Sequence, residues 1–140
     1  MEEKQAPPPD LKFERDENFE SLYANNVQFE SSVWDLQLVF GQLDQSIPKA
    51  AVVAQHTAIT LPWPQATIAA YYLLINVIVQ QSQNGPIQLP ERVIPSRPDP
   101  SDPALDSVGK KLIEYLAWVH DQFFGPNPFA PPSPSPADQG

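Results

Sequence analysis

Residues 50–90 have the sequence AAVVAQHTAITLPWPQATIAAYYLLINVIVQQSQNGPIQLP, without an Asp, Glu, Lys or Arg in a chain that carries 17 acidic and 8 basic residues. Its first part, Ala51 to Leu61, is rich in Val, Ile and Thr, which is typical of a β-strand. Pro62-Trp63-Pro64 ends that strand, because proline cannot donate to a sheet ladder but suits the first helical turn. A long helix is therefore predicted from about Pro64 to Gln83, closed by Asn84-Gly85-Pro86.

This predicted helix is apolar around its whole circumference, since almost every residue from Ile68 to Val79 is apolar. A helix on one side of a sheet buries only one stripe, and a helix that is apolar all round lies inside a large protein or has a second partner. A chain of 140 residues is too small for the first case. The second partner is a copy of the same helix across a two-fold axis, a later helix of the same chain, or a separate protein.

Two further strands are predicted before this segment. Leu22 to Glu30 places Tyr23, Val27 and Phe29 on one face, and the next strand alternates apolar residues with others. The alternating apolar residues are Trp34, Leu36, Leu38 and Phe40. Ser31 and Ser32 suit a hairpin connection, and Gly41 to Lys49 is predicted to be a loop. We therefore expect an α+β fold, a three-stranded antiparallel sheet with one long helix packed on it, in a domain over residues 21–90.

A second, amphipathic helix is predicted over residues 103–125, opened by Ser101 or Asp102 and ended by Gly125-Pro126. Its apolar stripe consists of Leu105, Val108, Leu112, Leu116, Val119 and Phe123. Residues 91–102 are rich in proline and are predicted to be a linker. Residues 1–20, acidic and with three prolines in a row, and the Pro-rich residues 126–140 are predicted to be disordered arms.

Residues 22–90 resemble a family of short bacterial and archaeal proteins grouped as a domain of unknown function. The motifs that carry the resemblance are Tyr23-Ala24-Asn25, Trp34-Asp35-Leu36, Phe40-Gly41, Pro64-Gln65-Ala66 and Asn84-Gly85. The resemblance implies the same order of hairpin, strand and helix. It implies no activity, ligand or functional residue.

The charge and composition exclude several classes of partner. The net charge of −9 opposes binding to nucleic acid and to anionic membrane surfaces, which require clustered Lys and Arg. The apolar run from Ala66 to Val79 is shorter than the roughly 18 residues of a membrane span, and the acidic N-terminus does not resemble a secretory signal. The chain has no cysteine, which agrees with a reducing compartment. We therefore expect a soluble, cytoplasmic protein.

Residues for chemistry are scarce. His56 could form a triad with Ser31 or Ser32 and Asp35, but no nucleophile turn supports it. We interpret His56 as a partly exposed strand residue without a catalytic role. His120 is interpreted as an ordinary surface residue. The acidic pairs and isolated glycines fit neither a metal site nor a phosphate loop. We expect no enzyme activity, no metal and no cofactor.

The sequence thus predicts a non-catalytic protein-interaction module that forms homo-oligomers, with a dimer favoured. The predicted interface residues are Trp63, Tyr71, Leu74, Ile75, Ile78, Leu112, Leu116 and Val119. Trp63, between two prolines, is a fixed aromatic anchor of the kind enriched at interface hot spots. The alternative function is that of a holdase or export-chaperone-like protein, whose partner is a client polypeptide with apolar segments.

Overall fold

The structure, a computed structural model, describes residues 10–44, 51–126 and 128–129. The elements are β1 (Asn26–Ser31), β2 (Asp35–Asp44), β3 (Val52–Pro62), α1 (Trp63–Asn84), a 3-10 helix (Glu91–Val93) and α2 (Ser107–Phe124). The chain divides into two compact units, residues 1–66 and 67–140, with the boundary in the first turn of α1. The predicted α+β fold, with a three-stranded antiparallel sheet and two helices, is confirmed. The packing of α1 on the sheet stays a prediction.

The sheet has one apolar and one polar face. Its strand order is β1-β2-β3, and residues directly opposite one another in an antiparallel pair point to the same side. The register places the following residues on one side, which we call the apolar face: Val27, Phe29, Leu36, Leu38, Phe40, Thr57, Ile59 and Leu61. On the other side, the polar face, side-chain hydrogen bonds join neighbouring strands, from Gln55 to Gln28 (3.0 Å) and from Gln37 to Thr60 (3.4 Å). The predicted alternation is therefore confirmed for Val27 and Phe29 and for Leu36 to Phe40.

The hairpin between β1 and β2 is held by Ser32. Its backbone N–H donates to the Asp35 carbonyl oxygen (2.9 Å), and its hydroxyl oxygen accepts from the N–H groups of Trp34 and Asp35 (both 3.1 Å). The two loop residues, Val33 and Trp34, do not have the positive φ of the preferred hairpin turns. The two hydrogen bonds accepted by the Ser32 hydroxyl hold the loop in place of the preferred turn geometry. Trp34, predicted on the strand face, instead lies in this loop and is exposed.

The bounds of the first two strands differ from the prediction. β1 begins at Asn26 and not at Leu22. The backbone N–H of Asn25 still donates to the Gly41 carbonyl oxygen (3.1 Å), but its side-chain oxygen accepts from the Leu43 N–H (2.7 Å), a bond that a strand residue would accept with its backbone carbonyl. β2 continues to Asp44, so the prediction of a loop from Gly41 to Lys49 was wrong for its first four residues. Residues 45–50 lie outside the described part of the chain.

β2 gains these residues because it stays paired with the longer β3 through a bulge. Phe40 lies opposite Thr57, but Gly41 lies opposite Gln55, which leaves His56 as an extra residue in β3. The ladder then continues from Gln42 opposite Ala54 to the end of β2.

The helix ends follow from their capping residues. Gly85 has a φ of 82° and its N–H donates to the Gln81 carbonyl oxygen (2.9 Å), which confirms the predicted left-handed cap of α1. α2 begins at Ser107, and its cap is neither Ser101 nor Asp102 as predicted. Asp106 is the cap, because its carboxylate accepts from the Gly109 N–H (2.6 Å).

Asp106→Ala is expected to destabilise α2 by about 1 kcal/mol, because one N–H group of its first turn loses its acceptor. Urea unfolding followed by the helical circular-dichroism signal measures this change. Asp102→Ala is the matched control, since the Asp102 carboxylate accepts only from the Ala104 N–H outside the helix. Equal effects of the two substitutions would contradict the assignment of the cap.

The predicted arms lie partly outside the described residues. Residues 10–20 form neither helix nor strand, but Asp16 organises a turn in which it accepts from the Asn18 and Phe19 N–H groups (2.8 and 3.0 Å). At the other end, Phe129 donates its N–H to the Gln122 carbonyl oxygen (3.1 Å) and its ring lies 4.7 Å from that of Phe123. The start of the Pro-rich tail thus contacts the last turn of α2. Residues 1–9 and 130–140 are outside the described part of the chain.

Candidate interaction surface

Burial is confined to small residues. Among the described residues, the only buried hydrophobic side chains are Ala66, 6% exposed, and Ala117, 1% exposed. The aromatic and branched side chains that form the core of an ordinary domain are half-buried or exposed in this chain. Since burial of apolar surface is favourable, these side chains are open surface on which a partner can bury area.

The predicted interface residues of α1 lie on a surface that the chain leaves open. Tyr71 is 60% exposed, Ile75 36% and Ile78 38%, and Leu74 is half-buried. These four residues follow the spacing i, i+3, i+4 and i+7, which places them on one face of the helix, and we call them the α1 stripe. The α1 stripe is exposed although α2 is present in the same chain. The alternative in which the C-terminal helix covers the α1 stripe is therefore not supported.

α2 also presents apolar side chains to solvent. Leu112 and Leu116 are exposed and Val119 is half-buried, and their spacing of four and three residues places them on one face. Tyr115 and Trp118 are exposed too, and their rings stack with centroids 5.7 Å apart. The predicted stripe therefore lies on α2 from Val108 to Phe123, whereas Leu105 precedes the Asp106 cap and is outside the helix. The aromatic pair lies on a neighbouring face.

Trp63 is held at the junction of β3 and α1. Its indole N–H donates to the Ser32 carbonyl oxygen (3.0 Å), which ties the first residue of α1 to the β1–β2 hairpin. The ring is still 39% exposed. A fixed indole with part of its surface open agrees with the predicted anchor, because little side-chain entropy is lost when such a residue binds.

The segment before α2 folds back along that helix. The Arg97 guanidinium binds the Asp121 carboxylate through two hydrogen bonds (2.9 and 3.1 Å), and a ring nitrogen of His120 bonds to the Pro95 carbonyl oxygen (2.7 Å). The hydrogen bond from Arg97 lowers the pKa of Asp121 below its ordinary value. Stability from this pair is therefore present above the ordinary carboxyl pKa and is lost as the pH falls through the lowered one. His120, predicted as an ordinary surface residue, has this structural contact.

A cleft of about 220 Å³ lies where the segment before β1 meets the sheet. Its lining residues are Glu20, Leu22, Ala24, Phe40, His56, Thr57 and Ile59. Both ring nitrogens of His56 are engaged, one with the Thr57 hydroxyl (2.8 Å) and the other with the Tyr23 carbonyl oxygen (3.1 Å). Because a carbonyl oxygen only accepts, the nitrogen facing Tyr23 carries the proton. His56 thus fastens the preceding segment to the bulge.

The triad considered from the sequence does not assemble in the described residues. The Ser32 hydroxyl bonds to the Asp35 carboxylate (2.9 Å), but the partners of His56 are Thr57 and Tyr23. The described part of the chain also has no group of three or more His, Cys, Asp or Glu side chains arranged to hold a metal ion. None of its helices is long and apolar enough to cross a bilayer.

One candidate interaction surface was missed in the sequence analysis, the outer edge of β3. The predicted interface used the helices alone, although the absence of charge extends over every residue of Val52–Pro62. That absence was the available signal, because edge strands of soluble proteins are usually protected by charged residues or proline.

Comparison of the chain with protein-family models, with curated proteins and with solved structures finds no match. The resemblance of residues 22–90 to a domain of unknown function stays a prediction.

Proposed function

We propose that this protein is a non-catalytic, homo-oligomerising interaction module of the cytoplasm, with a dimer as the favoured state. The observation that carries the proposal is the exposure of the α1 stripe in a chain that buries only Ala66 and Ala117 among its described hydrophobic residues. Exposed apolar surface of this extent is typical of interaction sites in soluble proteins.

A second copy is the partner that the α1 stripe favours. Tyr71, Leu74, Ile75 and Ile78 carry no charge, so two identical faces meet without repulsion although the chain as a whole has a net charge of −9. A two-fold axis makes the interface self-complementary, and such dimers are the commonest oligomers. A positively charged partner surface has no acidic group to bind on this stripe.

Sedimentation of the full-length chain tests the proposal. We expect a mass of twice 15.6 kDa at micromolar concentration, with reversible dissociation on dilution. A mass of one chain at every concentration would show that the apolar surface does not mediate self-association. The result does not depend on knowing a pathway or a ligand.

The exposed apolar surface also favours a second candidate, a holdase that binds apolar segments of client polypeptides. The two functions differ in the native state, because a holdase leaves its apolar groove open and a dimer covers it. We expect a hydrophobic dye such as ANS to show little fluorescence enhancement with the associated wild-type protein. Strong enhancement without loss of circular-dichroism signal would favour the holdase.

A further inference from the structure

We infer that β3 pairs antiparallel with β3 of a second copy about a two-fold axis at Ile59, so that two three-stranded sheets become one six-stranded sheet. The inference rests on the proposed self-association and names a second surface for it. It concerns the outer edge of β3, which has no partner strand among the described residues.

The direction of the free backbone groups follows from the ladder. The Ser32 N–H bonds to the Asp35 carbonyl oxygen, and peptide groups along a strand alternate between its two neighbours. Asp35, Gln37 and Val39 therefore bond toward β1, and the residues between them bond toward β3. Because Leu38 lies opposite Ile59, the peptide groups of Ile59 bond to β2. Those of Ala58 and Thr60 point outward.

These outward groups specify a register. An axis at Ile59 places Ala58 opposite the partner's Thr60 and Thr60 opposite the partner's Ala58, which forms four hydrogen bonds. Ile59 then lies opposite the partner's Ile59 on the apolar face, where its side chain is 48% exposed. The apolar faces of the two sheets become continuous, because both sheets carry the same residues on the same side.

Charge favours β3 over β1 as the edge that pairs. No residue of β3 is charged, whereas β1 includes Glu30. An edge without charged residues accepts another strand more readily, and the bulge at His56 limits the regular part of this edge to the residues that follow it. Across the axis, each residue from Thr57 to Leu61 meets an uncharged residue, so no like charges oppose the pairing.

The two-fold axis limits the paired length of β3. It places residues 52–55 of one copy opposite residues 63–66 of the other, which belong to α1 and not to the strand. Pairing is therefore confined to the part of β3 from the bulge at His56 to Pro62. The residues from Thr57 to Leu61, at about 3.4 Å per residue and a sheet thickness of about 10 Å, present an edge of roughly 170 Å², which is one part of the roughly 800 Å² per partner of a standard interface.

A single introduced cysteine tests the register, since the full-length chain contains none. At the axis, opposite residues have Cα atoms about 4.5 to 5.5 Å apart, which is within the range of a disulfide. We expect Ile59→Cys to form an intermolecular disulfide in most chains under mild oxidation, while circular dichroism stays unchanged. Val52→Cys is the matched control, because Val52 is 49% exposed on the same strand but about 48 Å from its copy in this register. We expect it to remain reduced.

Amide hydrogen exchange of the unmodified protein gives an independent measurement. The Ala58 and Thr60 amides are expected to exchange far more slowly than those of Val27 and Phe29, which point outward on β1. Equal exchange rates, or disulfides formed equally by both cysteine variants, overturn the β3 pairing. If the wild type sediments as a dimer in that case, only the β3 inference fails. If it sediments as one chain, the proposed function fails with it.

Discussion

The double substitution Ile75→Asp and Ile78→Asp is expected to convert the associated protein to single chains of 15.6 kDa or to make it insoluble. Both residues belong to the α1 stripe, and both are more than one-third exposed. In a two-fold interface the change places four carboxylates in an apolar contact. Burying an unpaired charge costs several kcal/mol per group, so the variant is expected not to associate through this face.

Sedimentation and circular dichroism measure the outcome together. Gln80→Glu with Gln83→Glu is the matched control, because it adds the same charge at the same spacing in the polar last part of α1. We expect the control to keep the mass of the wild type and the double Asp variant to lose it with its helical signal retained. A double Asp variant that still sediments at twice the chain mass would show that the α1 stripe is not the interface.

The second large effect is expected at Gly41, which is buried beside the bulge in β3. A Cβ atom at this position would lie 2.7 Å from Val53 Cγ1 and 2.9 Å from the Ala54 carbonyl oxygen. The second contact is with backbone, so it is relieved only if β2 and β3 separate. We therefore expect Gly41→Ala to destabilise the sheet by about 1 to 3 kcal/mol, and Gly41→Val by more.

Urea unfolding of the single and double variants separates the destabilisation caused by the Val53 contact from that caused by the Ala54 contact. Val53→Ala removes the Cγ1 atom, so it should recover part of the cost of Gly41→Ala, while the contact with the Ala54 carbonyl oxygen remains. Val39→Ala on the same strand is the control, because the atoms nearest to a Cβ at Gly41 belong to Val53, Ala54 and Gln55, and we expect it to show no such coupling. Strict additivity of Gly41→Ala and Val53→Ala would contradict the predicted crowding.

The elements that depend on periodicity were predictable from the sequence. Alternation over Leu36, Leu38 and Phe40 identified the apolar face, because side chains of a strand point to its two sides in turn. Pro62-Trp63-Pro64 and Gly85 marked the ends of α1, because both proline and left-handed glycine act through the local backbone.

The strand bounds were not predictable because they depend on contacts between distant residues. The ladder of β1 and β2 ends where the Asn25 side chain accepts from the Leu43 N–H, and β2 reaches Asp44 because β3 supplies a partner across the bulge. Gly41 favoured a loop by composition, whereas its role is to allow the close approach of β3.

The candidate site was predictable in part. The absence of charge over residues 50–90 predicted a surface that a partner covers, and the exposed α1 stripe lies in this segment. Its role as an interface stays a prediction. The outer edge of β3 was not identified, since a strand's neighbours are set by sheet order and not by local sequence. Only the structure reveals that β3 is an edge strand.

The extra residue at His56 limits how two edges can align. An uncharged edge strand is prone to slip by two residues at a time, which gives a mixture of dimers and, with further copies, aggregates. On the far side of His56 the outward peptide groups belong to Val53 and Gln55, out of phase with Ala58 and Thr60. A slipped copy that extends past the bulge meets peptide groups that face the wrong way. The bulge therefore limits the number of registers in which two β3 strands can pair. It ends the pairing at His56 although the edge has no charged residue to do so.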